Sequence, residues 1–227
     1  MARIKKTILG RISGAVGDVL FRQMHGNNYV GTRPNSFMPG KDENSIDRRK
    51  RFGLTVKFSR TVNAILQLKN VWARVAPKSG SAYNFIVKTN YVHVQPDGVT
   101  NTATLVPDVG FSITTTSVNI SRTQIQITLN PIGDNSGIDT LAEKNIQLTC
   151  VLFFKDPTDD SFSLYYFLPL VSAKQLLSLV NSLTFSIALS DQQSQEFDRY
   201  HVHSGYFALV TLDDNNKVYH YSNTFIG

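Results

Sequence analysis

Residues 43–72 read ENSIDRRKRFGLTVKFSRTVNAILQLKNVW, and the spacing of the large apolar side chains in this stretch decides the fold. Leu54, Phe58, Val62, Ile65, Leu68 and Trp72 recur at intervals of three or four, which aligns them along one side of an α-helix. Six such residues on one stripe predict a single long helix over 43–72, lying on a core. Ser45 is the expected N-cap, and Asp42, Glu43 and Asp47 put negative charge at the positive end of the helix dipole. Gly53 costs about 1 kcal/mol relative to alanine inside a helix, so a kink or a close contact is expected there. Pro77 and the cluster at 78–81 end the segment.

Upstream, residues 1–41 mix short apolar runs with glycines, among them Gly10, Gly14, Gly17 and Gly26. The segments 18–24 and 28–33 flank His25-Gly26-Asn27 and predict a β-hairpin that Pro34 terminates. Two strands alone are marginal in water, so this arm needs a further surface to pack on. Downstream of Tyr83 the apolar period changes to two. Strands are expected at 85–94, 102–105, 111–114, 124–129, 147–154, 164–168, 184–189, 206–211 and 218–222, with turns at Pro96-Asp97-Gly98, Gly133-Asp134-Asn135 and 213–216. A short helix is expected within 172–183. The chain is therefore read as mainly β: a hairpin arm and one long helix over 1–78, followed by an antiparallel β-sandwich or jelly-roll-like domain over 79–227.

Charge is unevenly distributed. Residues 1–74 hold 15 Lys/Arg against 4 Asp/Glu, whereas residues 75–227 hold 8 against 13. A cationic leading portion attracts nucleic acid, anionic lipid or an acidic face of another subunit. The run Arg48-Arg49-Lys50-Arg51 is the densest part. Successive helix positions differ by about 100°, so these four point around the helix and cannot all meet one carboxylate face. With Arg22 and Arg33 they are the expected contacts for a partner or for nucleic acid. Phe21, Tyr29, Phe37 and Phe52 could stack on bases or pack internally. Gly10, Gly14 and Gly17 match neither phosphate-loop spacing and are assigned to arm backbone geometry.

Other chemistry is sparse. Cys150 is the only cysteine and sits in an apolar run, so it is expected in the core and no intramolecular disulfide can form. His201 and His203 would project from one face of a strand as two metal ligands could, but a third ligand at suitable spacing is missing, with His93 and His220 the only candidates. Asp156, Asp159 and Asp160 read as a solvated turn. No recognised catalytic motif is present, so a non-catalytic protein without metal or cofactor is expected. Arg3, Lys5 and Lys6 are not followed by a continuous apolar segment, and apolar runs such as 164–171 fall short of the roughly 20 residues of a membrane span. Synthesis in the cytoplasm is expected.

Leu9-Gly10, Ser13-Gly14, Val16-Gly17, Tyr29-Val30 before Arg33-Pro34, Arg48 or Arg49 before Phe52, and the segment from Phe207 to Phe225-Ile226-Gly227 resemble an uncharacterised domain family of Bacteroidetes. The resemblance spans nearly the whole chain and implies a shared arm and helix before a divergent β domain; it implies no activity. The resulting expectation is a structural subunit of a virion, phage-tail-like particle or filament, forming a homo-oligomer or larger assembly through its basic N-terminal module. The alternative is a soluble nucleic-acid-binding protein using residues 48–51.

Overall fold

The computed structural model describes residues 2–4, 13–24, 26–33, 38–78 and 80–227, in two compact units, Met1–Ile46 and Asp47–Gly227. In the first unit, β1 (Ala2–Ile4), β2 (Gly14–Val16), β3 (Val19–Met24) and β4 (Asn27–Thr32) form an antiparallel sheet in the order β1-β4-β3-β2. The expected hairpin is β3–β4, closed with Met24 opposite Asn27 and Gly26 at φ 76°. A second hairpin, β2–β3, turns at Gly17 (φ 56°) and Asp18, with Val16 opposite Val19. Glycine at the first of two turn positions suits the type II′ turn, whose twist matches paired strands. Directly opposed residues share a face. The register therefore groups Val16, Val19, Phe21 and Val30 on one face, and Leu20, Arg22 and Tyr29 on the other. None of the described apolar residues of this unit is buried, and Val16 is 70% exposed.

The second unit has three layers. The first is helical: α1 (Glu43–Ala64), α2 (Leu66–Val75) and α3 (Ala82–Asn90). All six residues of the predicted stripe are buried, from Leu54 to Trp72. The single helix expected over 43–72 is instead broken at Ile65, whose backbone is extended (φ −79°, ψ 112°) while its side chain stays in the core. The cap is also shifted. Asp42, not Ser45, sits at the N-cap, its carboxylate accepting the Ser45 N–H at 3.0 Å.

A two-strand ribbon of β5 (Val94–Gln95) and β6 (Gly98–Val99) turns at Pro96-Asp97, as expected. Next come β7 (Thr115–Ile120), β8 (Gln124–Leu129), β9 (Asn145–Pro157), β10 (Tyr165–Val171), β11 (Gln175–Leu176) and β12 (Leu183–Ala188). The chain ends with the short helices α4 (Asp191–Ser194) and α5 (Glu196–Arg199), then β13 (Tyr200–Leu212), β14 (Val218–Tyr221) and β15 (Phe225–Ile226). The middle layer is an antiparallel sheet ordered β10-β9-β13-β14, with β11 on β9 and β15 on β13. The third layer is the sheet β12-β8-β7.

Two hydrophobic clusters lie on opposite faces of the middle sheet. Val151, Phe153, Phe167 and Tyr206 meet the helices, whereas Leu152, Phe154, Leu168 and Phe207 meet Ile127, Phe185 and their neighbours in the third layer. Burial on both faces explains why residues 146–154 of β9 are buried without interruption. The chain is thus mainly β and sandwich-like, with helices covering the outer face of the larger sheet. Because the α1 stripe shares a core with that sheet, the units divide at 46/47 and not at the expected 78/79.

Four further expectations are corrected. Residues 85–94 do not form one strand: up to Asn90 they belong to α3, capped by Ser81 Oγ on the Asn84 N–H at 3.1 Å, only Val94 enters β5, and Phe85 meets Trp72 edge-on at 5.6 Å. Tertiary packing outweighs the strand preference of Phe-Ile-Val. Residues 102–105 form no strand either, because side chains supply the backbone partners. Asn90 donates to Thr104 O at 3.0 Å and accepts the Thr104 N–H at 2.9 Å, and the Trp72 indole donates to Leu105 O at 2.7 Å. In place of the helix expected within 172–183 there is β11, and Leu176 and Val180 are 78% and 71% exposed, so no apolar stripe exists to bury. At 111–114 only an isolated bridge forms, and the strand begins at Thr115.

Asn90 offers a test of this arrangement. Asn90→Ala leaves two backbone groups of Thr104 without their partner, so unfolding free energy is expected to fall by about 2–4 kcal/mol in urea titrations.

Candidate functional site

Helix geometry sorts the basic run. Arg51 turns inward: its Nε donates to Tyr91 O at 2.9 Å and its guanidinium lies 4.5 Å from the centre of the Tyr91 ring. Arg49, Lys50, Gly53 and Lys57 fall on the opposite side of α1, because offsets of three, four and seven residues share a helix face. Arg49, Lys50 and Lys57 border a groove of about 580 Å³ whose other wall includes Asp97, Leu164 and Tyr165. Asp47 also borders it. The Tyr165 hydroxyl donates to Pro96 O at 3.1 Å, and burial followed by the nearby Asp97 carboxylate pushes its pKa up, so this wall keeps its proton.

Gly53 has open space around it. A Cβ built there meets nothing within 4 Å, so no close contact explains this glycine. Gly53→Ala is expected to raise unfolding free energy by about 0.5–1 kcal/mol through helix propensity alone, measured by denaturant titration.

Among the described residues, Lys50, Lys57, Arg60 and Lys69 make no ion pair, while Arg51 and Arg74 are satisfied by backbone carbonyls, Arg74 by those of Val218 and Tyr219. The helical layer therefore keeps its positive field. Residues 47–75 hold 8 Lys/Arg against 1 Asp/Glu, and residues 76–227 hold 8 against 13. The charge separation seen in the sequence is consequently a polarity within the second unit. Between units it disappears, since Met1–Ile46 carries 7 against 3 and Asp47–Gly227 carries 16 against 14.

Arg22 lies exposed on β3, and Arg33 follows β4, exposed, with its backbone N–H on Asp18 O at 2.7 Å. Arg48 is an exposed residue of α1. Gly14 (φ 117°) and Gly17 adopt backbone conformations that favour glycine, with open space where a side chain would be. Gly10, with Leu9, His25, Pro34 and Phe37, lies outside the described residues.

A second cluster escaped the sequence reading. Glu143, 1% exposed, accepts hydrogen bonds from the Asp139 N–H and the His220 Nδ1–H, each at 2.9 Å, and from the Thr211 hydroxyl. Its setting, Leu141-Ala142-Glu143-Lys144, reads as a solvated loop. Only the approach of β13 and β14 from far along the chain buries it.

His201 and His203 lie two apart on β13, but among the described residues no three His, Cys, Asp or Glu side chains could hold a metal. His203 instead packs edge-on against Phe197 at 5.0 Å, and burial holds its pKa below the usual histidine range. A depressed histidine pKa means the unfolded chain binds the proton more readily, so stability is complete above about pH 6.5 and falls with acidification. His203→Gln is expected to flatten this part of the pH dependence of thermal unfolding. Cys150 is fully buried, and burial pushes its thiol pKa well up, as suits a core residue. No described helix is long and apolar enough to cross a membrane.

No family model, curated protein or solved structure matches this chain, so neither the Bacteroidetes resemblance nor any activity is carried by such a comparison.

Proposed function

We propose that this protein is a non-catalytic assembly subunit, and that the cationic face of α1 around Gly53 docks on an acidic surface of a neighbouring copy. The groove lined by Arg49, Lys50 and Lys57, with Gly53 in the same lining and open space where its side chain would be, carries this reading. A helix tolerates such a glycine at a cost in stability, and room for a partner explains the cost. The complementary surface is available in every copy, because residues 76–227 have 13 acidic against 8 basic side chains, with exposed carboxylates at Asp159, Asp160 and Asp214. Contact between unlike faces of identical subunits closes into a ring or propagates as a filament.

The arm supplies a second contact. Its sheet buries no described apolar residue, and Val16, Val19, Phe21 and Val30 share one face. Three or more strands become stable when an apolar face is covered, and a neighbouring subunit is the covering surface in a particle or filament.

Light scattering of the full chain at rising concentration tests the proposal, with and without added single-stranded DNA. Large particles without DNA at about 0.05 M salt, dissociating towards 0.5 M, are expected from contacts between exposed charges. A monomer at every concentration that instead binds DNA at low salt would replace self-assembly with the nucleic-acid reading.

A further inference from the structure

The Glu143–His220 pair stands at the edge of a cavity of about 460 Å³ that the assembly reading does not use. Phe111, Ser112, Ile132, Ser136, His220 and Tyr221 line it. Residues from three separate parts of the chain meet there. Gly110, at φ 59°, lets one wall approach closely, since a Cβ at that position would lie 2.1 Å from Tyr221 O.

Three features define what the cavity can hold. First, the buried Glu143 carboxylate accepts a hydrogen bond from His220 Nδ1–H, and in a neutral ring protonated at Nδ1 the other nitrogen, Nε2, is a hydrogen-bond acceptor. The His220 side chain is 48% exposed, and Nε2 has no partner among the described residues. Second, Ser136 Oγ is shielded from solvent and likewise has no partner among the described residues, whereas most buried hydroxyls are paired. Third, among the described residues no carboxylate and no Lys or Arg lines the cavity. Glu143 is saturated behind the imidazole, and Asp108 accepts the Tyr221 hydroxyl at 2.5 Å. Burial first, and that hydrogen bond second, raise the Tyr221 pKa, so Tyr221 remains neutral.

We infer that this cavity binds a neutral, hydroxyl-bearing small molecule of the sugar or polyol class, with His220 Nε2 accepting a ligand hydroxyl and the serines completing the polar contacts. Phe111 and Ile132 provide apolar surface for the carbon skeleton. The described lining holds no lysine or arginine, which disfavours anions, and its single imidazole gives a metal ion too few ligands. The size suits a monosaccharide, at the lower end of small-molecule sites.

Long-range ¹H–¹⁵N NMR of the histidine rings in the full chain tests this, with glucose, galactose, N-acetylglucosamine and myo-inositol as probes and acetate and phosphate as comparators. A saturable shift of His220 Nε2 by at least one neutral probe is expected, at a Kd of about 1 mM or below. His220→Asn keeps a donor for Glu143 but places no acceptor where Nε2 stands, so binding, followed in both proteins through the backbone amide shifts of Ser112 and Ser136, should weaken about tenfold with an unchanged circular dichroism spectrum. The inference is overturned if no neutral probe shifts His220 in the folded wild type, if acetate or phosphate shifts it more strongly, or if folded His220→Asn binds as tightly.

Discussion

Phe154→Ala is expected to lower the free energy of unfolding by about 3–5 kcal/mol, and Phe58→Ala by a similar amount. Each ring is fully buried, but in a different cluster. Phe58 meets Phe167 and Tyr206 edge-on between α1 and the middle sheet, with centroids at 5.8 and 5.6 Å. Phe154 is packed by Phe197 at 5.1 Å and Tyr200 at 5.9 Å on the other face. Because a whole sheet separates them, their effects should add to within about 0.5 kcal/mol. The double variant would then lose about 6–10 kcal/mol, comparable to the total stability of a typical domain. Urea titrations of both single variants measure this. A loss under about 1 kcal/mol for Phe154→Ala would mean that the small sheet does not close the core.

Charge reversal of the groove has the other large effect, on association rather than stability. Arg49→Glu, Lys50→Glu and Lys57→Glu together exchange three cations for three anions at exposed positions of α1. If each contact with an acidic partner contributes on the order of 1 kcal/mol, losing three weakens association at least about a hundredfold at low salt. Melting temperature should change little. Gly53→Leu provides an uncharged counterpart, filling the groove while retaining every cation; it too should weaken association, whereas Gly53→Ala should not.

Much of the fold is legible locally. The stripe from Leu54 to Trp72 identifies buried helix residues because their spacing is a property of the helix alone, and 124–129 identifies β8 because Ile125, Ile127 and Leu129 alternate with polar residues. What is hidden depends on partners distant in sequence. Nothing in Ala64-Ile65-Leu66 marks the helix break, as it contains neither glycine nor proline. Phe85-Ile86-Val87 reads as a strand until Trp72 is placed beside it. Asn90 reads as an ordinary polar residue, although it fixes the loop that replaces a strand at 102–105.

The candidate site divides in the same way. The basic run was visible, and so was the inability of its four members to face one way, but the inward turn of Arg51 required the position of Tyr91. The polarity first drawn between arm-plus-helix and β domain becomes a polarity within one unit, because the apolar stripe of the helix shares a core with the sheet. Glu143 gave no signal, since a buried carboxylate is recognisable only by the three donors that surround it.

Docking between the cationic α1 face and another copy is tested most directly by sedimentation velocity on the wild type and the triple glutamate variant, without nucleic acid, at about 0.05 M and 0.5 M salt. The wild type is predicted to sediment as oligomers at low salt and to shift towards the 25.4 kDa monomer at high salt, with the variant monomeric in both. Wild-type monomer at both salts, or variant oligomers indistinguishable from those of the wild type, would contradict it.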